Sequence, residues 1–195
     1  MFTRQVKTHL PTKWGDFDLY SYADNHEVAQ PHLALVHRDM NTQGVVPVRI
    51  HSECLTGDLL GSLRCDCGEQ FEASLRYISS HAGVMIYLRQ EGRGIGLINK
   101  LDAYNLQDNG LNTIEANIHL GFEPDERDFD IAIAILKDLD IKEIDLLTNN
   151  PEKMATIAHS DITLHARIPL IMPAKDENEH YLKVKAQSMG HLLSH

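Results

Sequence analysis

Cys54, Cys65 and Cys67 are the only cysteines in this 195-residue chain, and they fall within fourteen positions, in "HSECLTGDLLGSLRCDCGEQ" (51–70). An odd number of thiols argues against a disulfide framework, and clustering at this spacing points to a metal ion or to thiol chemistry. Three thiolates suit a borderline-soft ion such as zinc over magnesium or calcium, and one zinc per chain is the expectation. A structural zinc site usually closes with four ligands. Three leave the fourth tetrahedral position open to a water whose pKa falls to about 7. A histidine such as His51 would instead close a structural knuckle. Against that, no second C-x-x-C and no paired histidines at finger spacing are present, and the pair four apart, His191 and His195, reads as solvated at the chain end.

An activated water needs a group that manages protons, and Glu53 adjoins a ligand. The "HSEC" stretch resembles the H-x-E of zinc deaminases only in part, because the downstream pair here is "CDC" and those enzymes carry C-x-x-C. A Glu53 that only orients backbone is a fair alternative. Further along, "LRQEGRGIGLINK" (88–100) runs from a strand pattern through a glycine-rich turn into a helix pattern, a setting in which backbone amides bind phosphate. It matches neither a Walker A loop nor the dinucleotide fingerprint. Arg89, Arg93 and Lys100 strengthen it, since arginine meets phosphate oxygens in bidentate fashion.

Two other loops carry chemistry-bearing residues. "FEPDERDFD" (122–130) packs Asp125, Glu126, Arg127 and Asp128 ahead of a helix pattern, where acids at a helix start are an ordinary explanation. "LLTNNPEK" (146–153) ends a strand pattern and opens a helix, with Thr148 and Lys153 around the turn. Ligands bind outside the carboxyl ends of strands in open α/β sheets, although a capping turn explains the same residues.

The elements that must hold these residues read as strands over 33–39, 45–53, 83–90 and 143–150, each rich in β-branched and aliphatic residues. Helical periodicity or capping marks 69–81, 94–110, 128–140, 150–160 and 178–191, with Asn150 as N-cap and Pro151 at the first helical position. Alternating strands and helices predict a mixed α/β (α+β) fold, and the lack of repeats or linkers predicts one domain over 1–195. Apolar content of 43% and charged content of 24% match an ordinary globular protein. With no signal-like start and no apolar run of about 18 residues, the expectation is a cytoplasmic protein with no membrane partner. A net charge of −10 disfavours a nucleic-acid partner, so any anionic ligand must be met by a local cationic cluster.

Taken together, "RIHSECLTGD" (49–58), "SLRCDCG" (62–68), "RQEGRGIGLINK" (89–100), "AYNLQDNGLNTIEAN" (103–117), "GFEPDERDF" (121–129), "LLTNNPEK" and the ending "NEHYLKVKAQSMGHLL" closely resemble the GTP cyclohydrolase II family of riboflavin biosynthesis. The resemblance implies that family's fold, a mixed sheet with surrounding helices, and a homodimer of the monofunctional form. It implies zinc on Cys54, Cys65 and Cys67. Contacts to GTP are implied for Arg49, Ile50, His51, Ser52, Glu53, Gln70, Glu91, Gly92, Arg93, Thr113, Thr148 and Lys153. It further implies Asp125 as proton acceptor, Arg127 facing the α-phosphate and Tyr104 beside the reacting guanine. Where the commoner turn has asparagine, this chain has Gly94, which is expected to change loop stiffness.

The implied chemistry is water attack at C8 of guanine, ring opening to a formamide, loss of formate, and release of pyrophosphate with Mg2+ on the triphosphate. Glu91 is the expected reader of the guanine N1–H and N2–H2 edge. The resemblance also brings covalent attack by Arg127 on the α-phosphate. A guanidinium with pKa above about 12 has no lone pair to offer unless it loses a proton, and a charge clamp needs no such step. Two other functions fit the residues: a cyclohydrolase that stops at the formamide, and a zinc-stabilised protein that binds GTP without turnover.

Overall fold

A computed structural model describes residues 2–188 and 190–193. In chain order its elements are β1 (Thr3–Thr12), β2 (Gly15–Ala23), β3 (His32–His37), β4 (Val46–Ser52), α1 (Leu55–Asp58), α2 (Cys67–Ser80), β5 (Val84–Leu88), α3 (Leu97–Asp108), α4 (Thr113–His119), α5 (Asp130–Asp138), β6 (Glu143–Leu147), α6 (Pro151–Ala158), β7 (Thr163–Ile168) and α7 (Glu179–Ser188). The chain is of the mixed α/β class. It forms two compact units, one from residues up to His51, Phe71–Arg89 and Phe129–Leu170, the other from Ser52–Gln70, Gln90–Asp128 and the residues from Ile171 on.

The first unit is built on a seven-stranded sheet in the order β1-β2-β3-β5-β4-β6-β7. Pairing is antiparallel for β1/β2, β2/β3 and β3/β5 and parallel for β4/β6 and β6/β7. Successive side chains on a strand point to opposite faces, and here both faces are covered. Ala34, Val36, Val84, Ile86 and Leu88 pack on one face with Ala132, Ile133, Ile135 and Leu136 of α5 and Ile157 of α6. Met85 and Phe17 face the other way, onto Leu75 and Ile78 of α2. Each fully buried aliphatic side chain of this kind contributes about 1.5–3 kcal/mol.

The four expected strands are present as β3 to β6, each ending one to three residues early, with β3 starting one residue sooner. Three more strands gave no readable signal. β1 is an edge strand of mostly exposed, polar side chains with Pro11 near its end, so it has no apolar face to alternate. β7 forms the other edge and also buries little. β2 sends Phe17 to one core and Tyr20 and Tyr22 to the other, which blurs its period of two.

All five expected helices are present, as α2, α3, α5, α6 and α7; residue 189 of the last, and His195, lie outside the described residues. Asn150 caps α6 by accepting from Glu152 N at 2.8 Å, ahead of Pro151. The helix expected from residue 94 begins instead at Leu97, because Gly92, Arg93, Gly94 and Gly96 take φ of 64°, 65°, 96° and 83°, outside any right-handed helix. The unexpected α4 rests on a capping box in which Asn112 accepts from Glu115 N and Glu115 accepts from Asn112 N. No helix among the described residues is long and apolar enough to cross a membrane.

The second unit carries α1, α3, α4, α7 and the start of α2, joined by the glycine turn at 91–96 and the 121–128 loop.

Candidate metal centre and anion-binding turn

Cys54 precedes α1, Cys65 lies in the following loop and Cys67 is the first residue of α2. Their sulfurs lie within 4.8 Å of one another, and Cys54 Sγ is 3.7 Å from Cys65 Sγ. Two thiolates on a tetrahedral zinc, with Zn–S near 2.3 Å, are about 3.8 Å apart, so this donor set fits zinc in both softness and spacing. Glycine makes the convergence possible. A Cβ at the buried Gly57 would sit 3.0 Å from Cys65 Sγ and 3.2 Å from Cys54 Sγ, and one at Gly68 would sit 2.3 Å from the Gly57 carbonyl oxygen. Short α1 and the start of α2 therefore meet glycine to glycine, leaving their shared space to the sulfurs.

One buried cation serves this cluster. Lys100 Nζ donates to Cys54 Sγ at 3.2 Å, to Thr56 Oγ1 at 2.9 Å and to Glu91 Oε1 at 2.8 Å. Burial works to lower the lysine's pKa, but the Cys54 and Glu91 charges outweigh it and hold the group above its ordinary value. Hydrogen bonds from Cys65 and Cys67 and the charge of Lys100 pull the Cys54 thiol below its ordinary value, while Cys54 pushes the thiols of Cys65 and Cys67 up. Glu91 is buried and occupied: its Oε2 accepts from Leu55 N at 2.6 Å, and its Oε1 from Gly92 N at 2.8 Å as well as from Lys100. Tyr104 Oη lies 3.3 Å from Thr56 Oγ1, and burial raises its pKa. Sequence reading grouped Lys100 with a phosphate site, whereas the fold places it on a thiol. The signal was the spacing of Lys100 and Tyr104, four apart and hence on one helix face.

In the same unit the glycine turn holds Arg93 at φ 65°, a left-handed conformation that side chains rarely adopt. Both terminal nitrogens of its guanidinium are buried with no hydrogen-bond partner among the described residues. Strain and unpaired donors in one residue are the usual marks of a ligand-binding position. Against this turn lies the 121–128 loop: Glu126 N donates to Arg93 O at 3.0 Å, and a Cβ on Gly94 would come 2.9 Å from Glu126 O. A side chain at 94 therefore meets the neighbouring backbone, a steric effect beyond the loop stiffness expected from sequence. Asp125 and Arg127 do not cap a helix, since α5 starts at Asp130; they pair with each other, Arg127 Nε donating to Asp125 Oδ1 at 2.7 Å. Burial would raise the Asp125 pKa, but the Arg127 hydrogen bonds hold it below the usual carboxylate value.

Gln70 donates to Asp66 Oδ2 at 2.5 Å, and Asp66, between two ligand cysteines, also accepts from Lys185 of α7 at 2.8 Å. This anchor from a helix distant in sequence left no readable pattern. Ser52 and Glu53 are half-buried just before Cys54, with the Ser52 hydroxyl lacking a partner among the described residues, and Thr113 opens α4.

In the first unit, Arg49, Ile50 and His51 on β4 come together with Thr148 and Lys153 at the carboxyl ends of the parallel β4 and β6. Arg49 Nη1 donates to Leu147 O at 3.0 Å and Lys153 Nζ to Ile50 O at 2.7 Å. Thr148 Oγ1 accepts from Asn150 N at 3.0 Å. His51 stacks on Tyr87 with centroids 5.6 Å apart. Arg89 belongs to this unit, its Cζ 5.6 Å over the Tyr87 ring.

A mixed α/β scaffold with three converging thiols that could hold a metal ion, and an arginine turn in the same unit, defines a class of site suited to a metal and an anionic ligand. The family model for GTP cyclohydrolase II matches residues 3–169, and the chain belongs to that family. It is 52% identical over 185 residues to the GTP cyclohydrolase-2 of Campylobacter fetus subsp. fetus, covering 95% of this chain and 93% of that protein. It is 49% identical over 188 residues to the GTP cyclohydrolase-2 of Picrophilus torridus, covering 96% and 97%. The riboflavin biosynthesis protein RibBA of Bacillus mycoides matches at 51% over 195 residues, all of this chain and 49% of that one, so the chain spans about half the length of its RibBA relatives.

Proposed function

We propose that this protein hydrolyses GTP to 2,5-diamino-6-(5-phosphoribosylamino)pyrimidin-4(3H)-one, formate and pyrophosphate, the step that opens riboflavin biosynthesis. The observation that carries the reading is the convergence of Cys54, Cys65 and Cys67 in the unit that also holds the strained Arg93, whose terminal nitrogens have no hydrogen-bond partner among the described residues, and the Asp125–Arg127 pair. Zinc held by the three sulfurs would supply Lewis acidity that makes water nucleophilic near neutral pH. Water attacks C8 of guanine, the C8–N9 bond breaks to leave a formamide, and a second water releases formate. Tyr104, with a raised pKa, stays protonated and is a hydrogen-bond donor for the reacting base.

Arg93 offers its free donors to the triphosphate, together with Mg2+. Arg127 clamps the α-phosphate as charge builds there, and its departure from Asp125 restores that carboxylate's basicity just when a water must give up a proton. Arg49, Ile50, His51, Ser52, Glu53, Gln70, Gly92, Thr113, Thr148 and Lys153 are proposed as further contacts to the nucleotide on the strength of the family resemblance. Glu91 has three of its about four lone-pair positions filled by protein donors. We assign it chiefly to holding the turn, with one position left for the base.

Incubation with GTP and Mg2+, followed by assays for formate and pyrophosphate, tests this. Both products are expected. A formamide without formate would mark a cyclohydrolase that stops early. Binding without either product would mark a nucleotide-binding protein.

A further inference from the structure

Lysine is almost never buried without partners, and Lys100 is 9% exposed. An ammonium has three protons, and all three are engaged, by Cys54 Sγ on one side of α1, Thr56 Oγ1 within it and Glu91 Oε1 on the glycine turn. None remains for a phosphate oxygen. The turn presses on the stem of this side chain as well: Gly92, at φ 64°, passes so near that a Cβ there would lie 3.0 Å from Lys100 Cβ. Glu91 then carries the link onward to the amides of Leu55 and Gly92.

We propose that Lys100 is a positioning residue of the metal centre, drawing charge from the Cys54 thiolate by an N–H···S hydrogen bond and locking that ligand, through Glu91, to the turn that presents Arg93. This rests on reading the three cysteines as metal ligands. A thiolate that accepts a hydrogen bond from a cation gives less charge to its metal, which leaves the metal a stronger Lewis acid. Outer partners of this sort commonly change metal affinity or activity by about 10–100-fold when removed.

Cobalt replacing zinc gives a direct readout. In Lys100→Met the sulfur-to-cobalt charge-transfer band should move to lower energy, because the thiolate lone pair is no longer stabilised, and in Lys100→Arg it should stay near the parent position. With zinc, Lys100→Met should lower kcat by about 10–100-fold and leave KM for GTP within about twofold. If the Met variant does not fold, Lys100→Gln, which keeps a donor and loses the charge, should place the band between parent and full loss. A band unmoved in Met or Gln, or a rise in KM with kcat unchanged, overturns the proposal and returns Lys100 to a phosphate role. Cys54→Ser keeping the parent cobalt spectrum would instead overturn the ligand reading beneath it.

Discussion

Asp125 and Arg127 face each other across a single residue, with Arg127 Nε 2.7 Å from Asp125 Oδ1 and side chains only 13% and 12% exposed. Two consequences follow from that pair, one for stability and one for turnover. The carboxyl is held below its unfolded value of about 3.9 by the arginine, despite burial that works the other way. The unfolded chain therefore binds the proton better. The pair's stabilisation is present above about pH 4 and is lost as pH falls through the depressed folded value. In Asp125→Asn the deficit in melting temperature relative to the parent should be largest near pH 6 and shrink toward pH 3. A deficit constant across that range would mean that Asp125 titrates at its ordinary value.

For turnover, the planar fork of Arg127 matters as well as its charge. Arg127→Lys keeps the charge and loses bidentate geometry, so pyrophosphate release should fall by about 10²–10³-fold, the usual loss when one preorganised transition-state donor is removed. Arg127→Ala should fall at least as far. Release within threefold of the parent in the lysine variant would show that point charge alone suffices.

How far the sequence disclosed this site depended on whether the signal was local. The cysteine cluster was legible because three soft ligands stood within fourteen positions, and the Asn150–Pro151 helix start because capping is short-range. The true start of α3 was hidden by Arg93, since a left-handed arginine contradicts its own propensity and is imposed by the surrounding fold. Long-range partners such as Lys185 on Asp66, 119 residues away, leave no periodic trace. The contact of Lys100 with Cys54 and Glu91 was hidden for the same reason: which of several anions a buried cation meets is decided by packing.

Gly57 offers a test of the metal centre that leaves all three ligands intact. A methyl group at that position would intrude 3.0–3.2 Å from two ligand sulfurs, tighter than ordinary contact. Gly57→Ala should therefore hold less than half the parent's zinc after dialysis against a weak chelator, by elemental analysis, with far-ultraviolet circular dichroism unchanged. Full zinc retention would mean that the sulfurs can spread without losing the ion.

The last prediction separates the two hydrolyses. C8 of the base and the α-phosphate lie on opposite sides of a ribose, so a single activated water is a poor candidate for both. On the proposed reading the thiol cluster serves ring opening, and Arg93 and Arg127 serve the phosphates. Replacing Cys54, Cys65 or Cys67 by serine puts a neutral hydroxyl, a poor zinc ligand, where a thiolate is needed, and the metal should be lost. If the chain folds, its phosphate-binding arginines remain, and the variant should release pyrophosphate from GTP and leave guanosine monophosphate without formate. Arg127→Ala should show the complementary fault. Its formate release is also expected to fall, because a clamped α-phosphate fixes the base in place before attack at C8. A folded Cys→Ser variant that makes neither product would contradict the two-centre arrangement, and an Arg127→Ala variant releasing formate at the parent rate would overturn the order of steps.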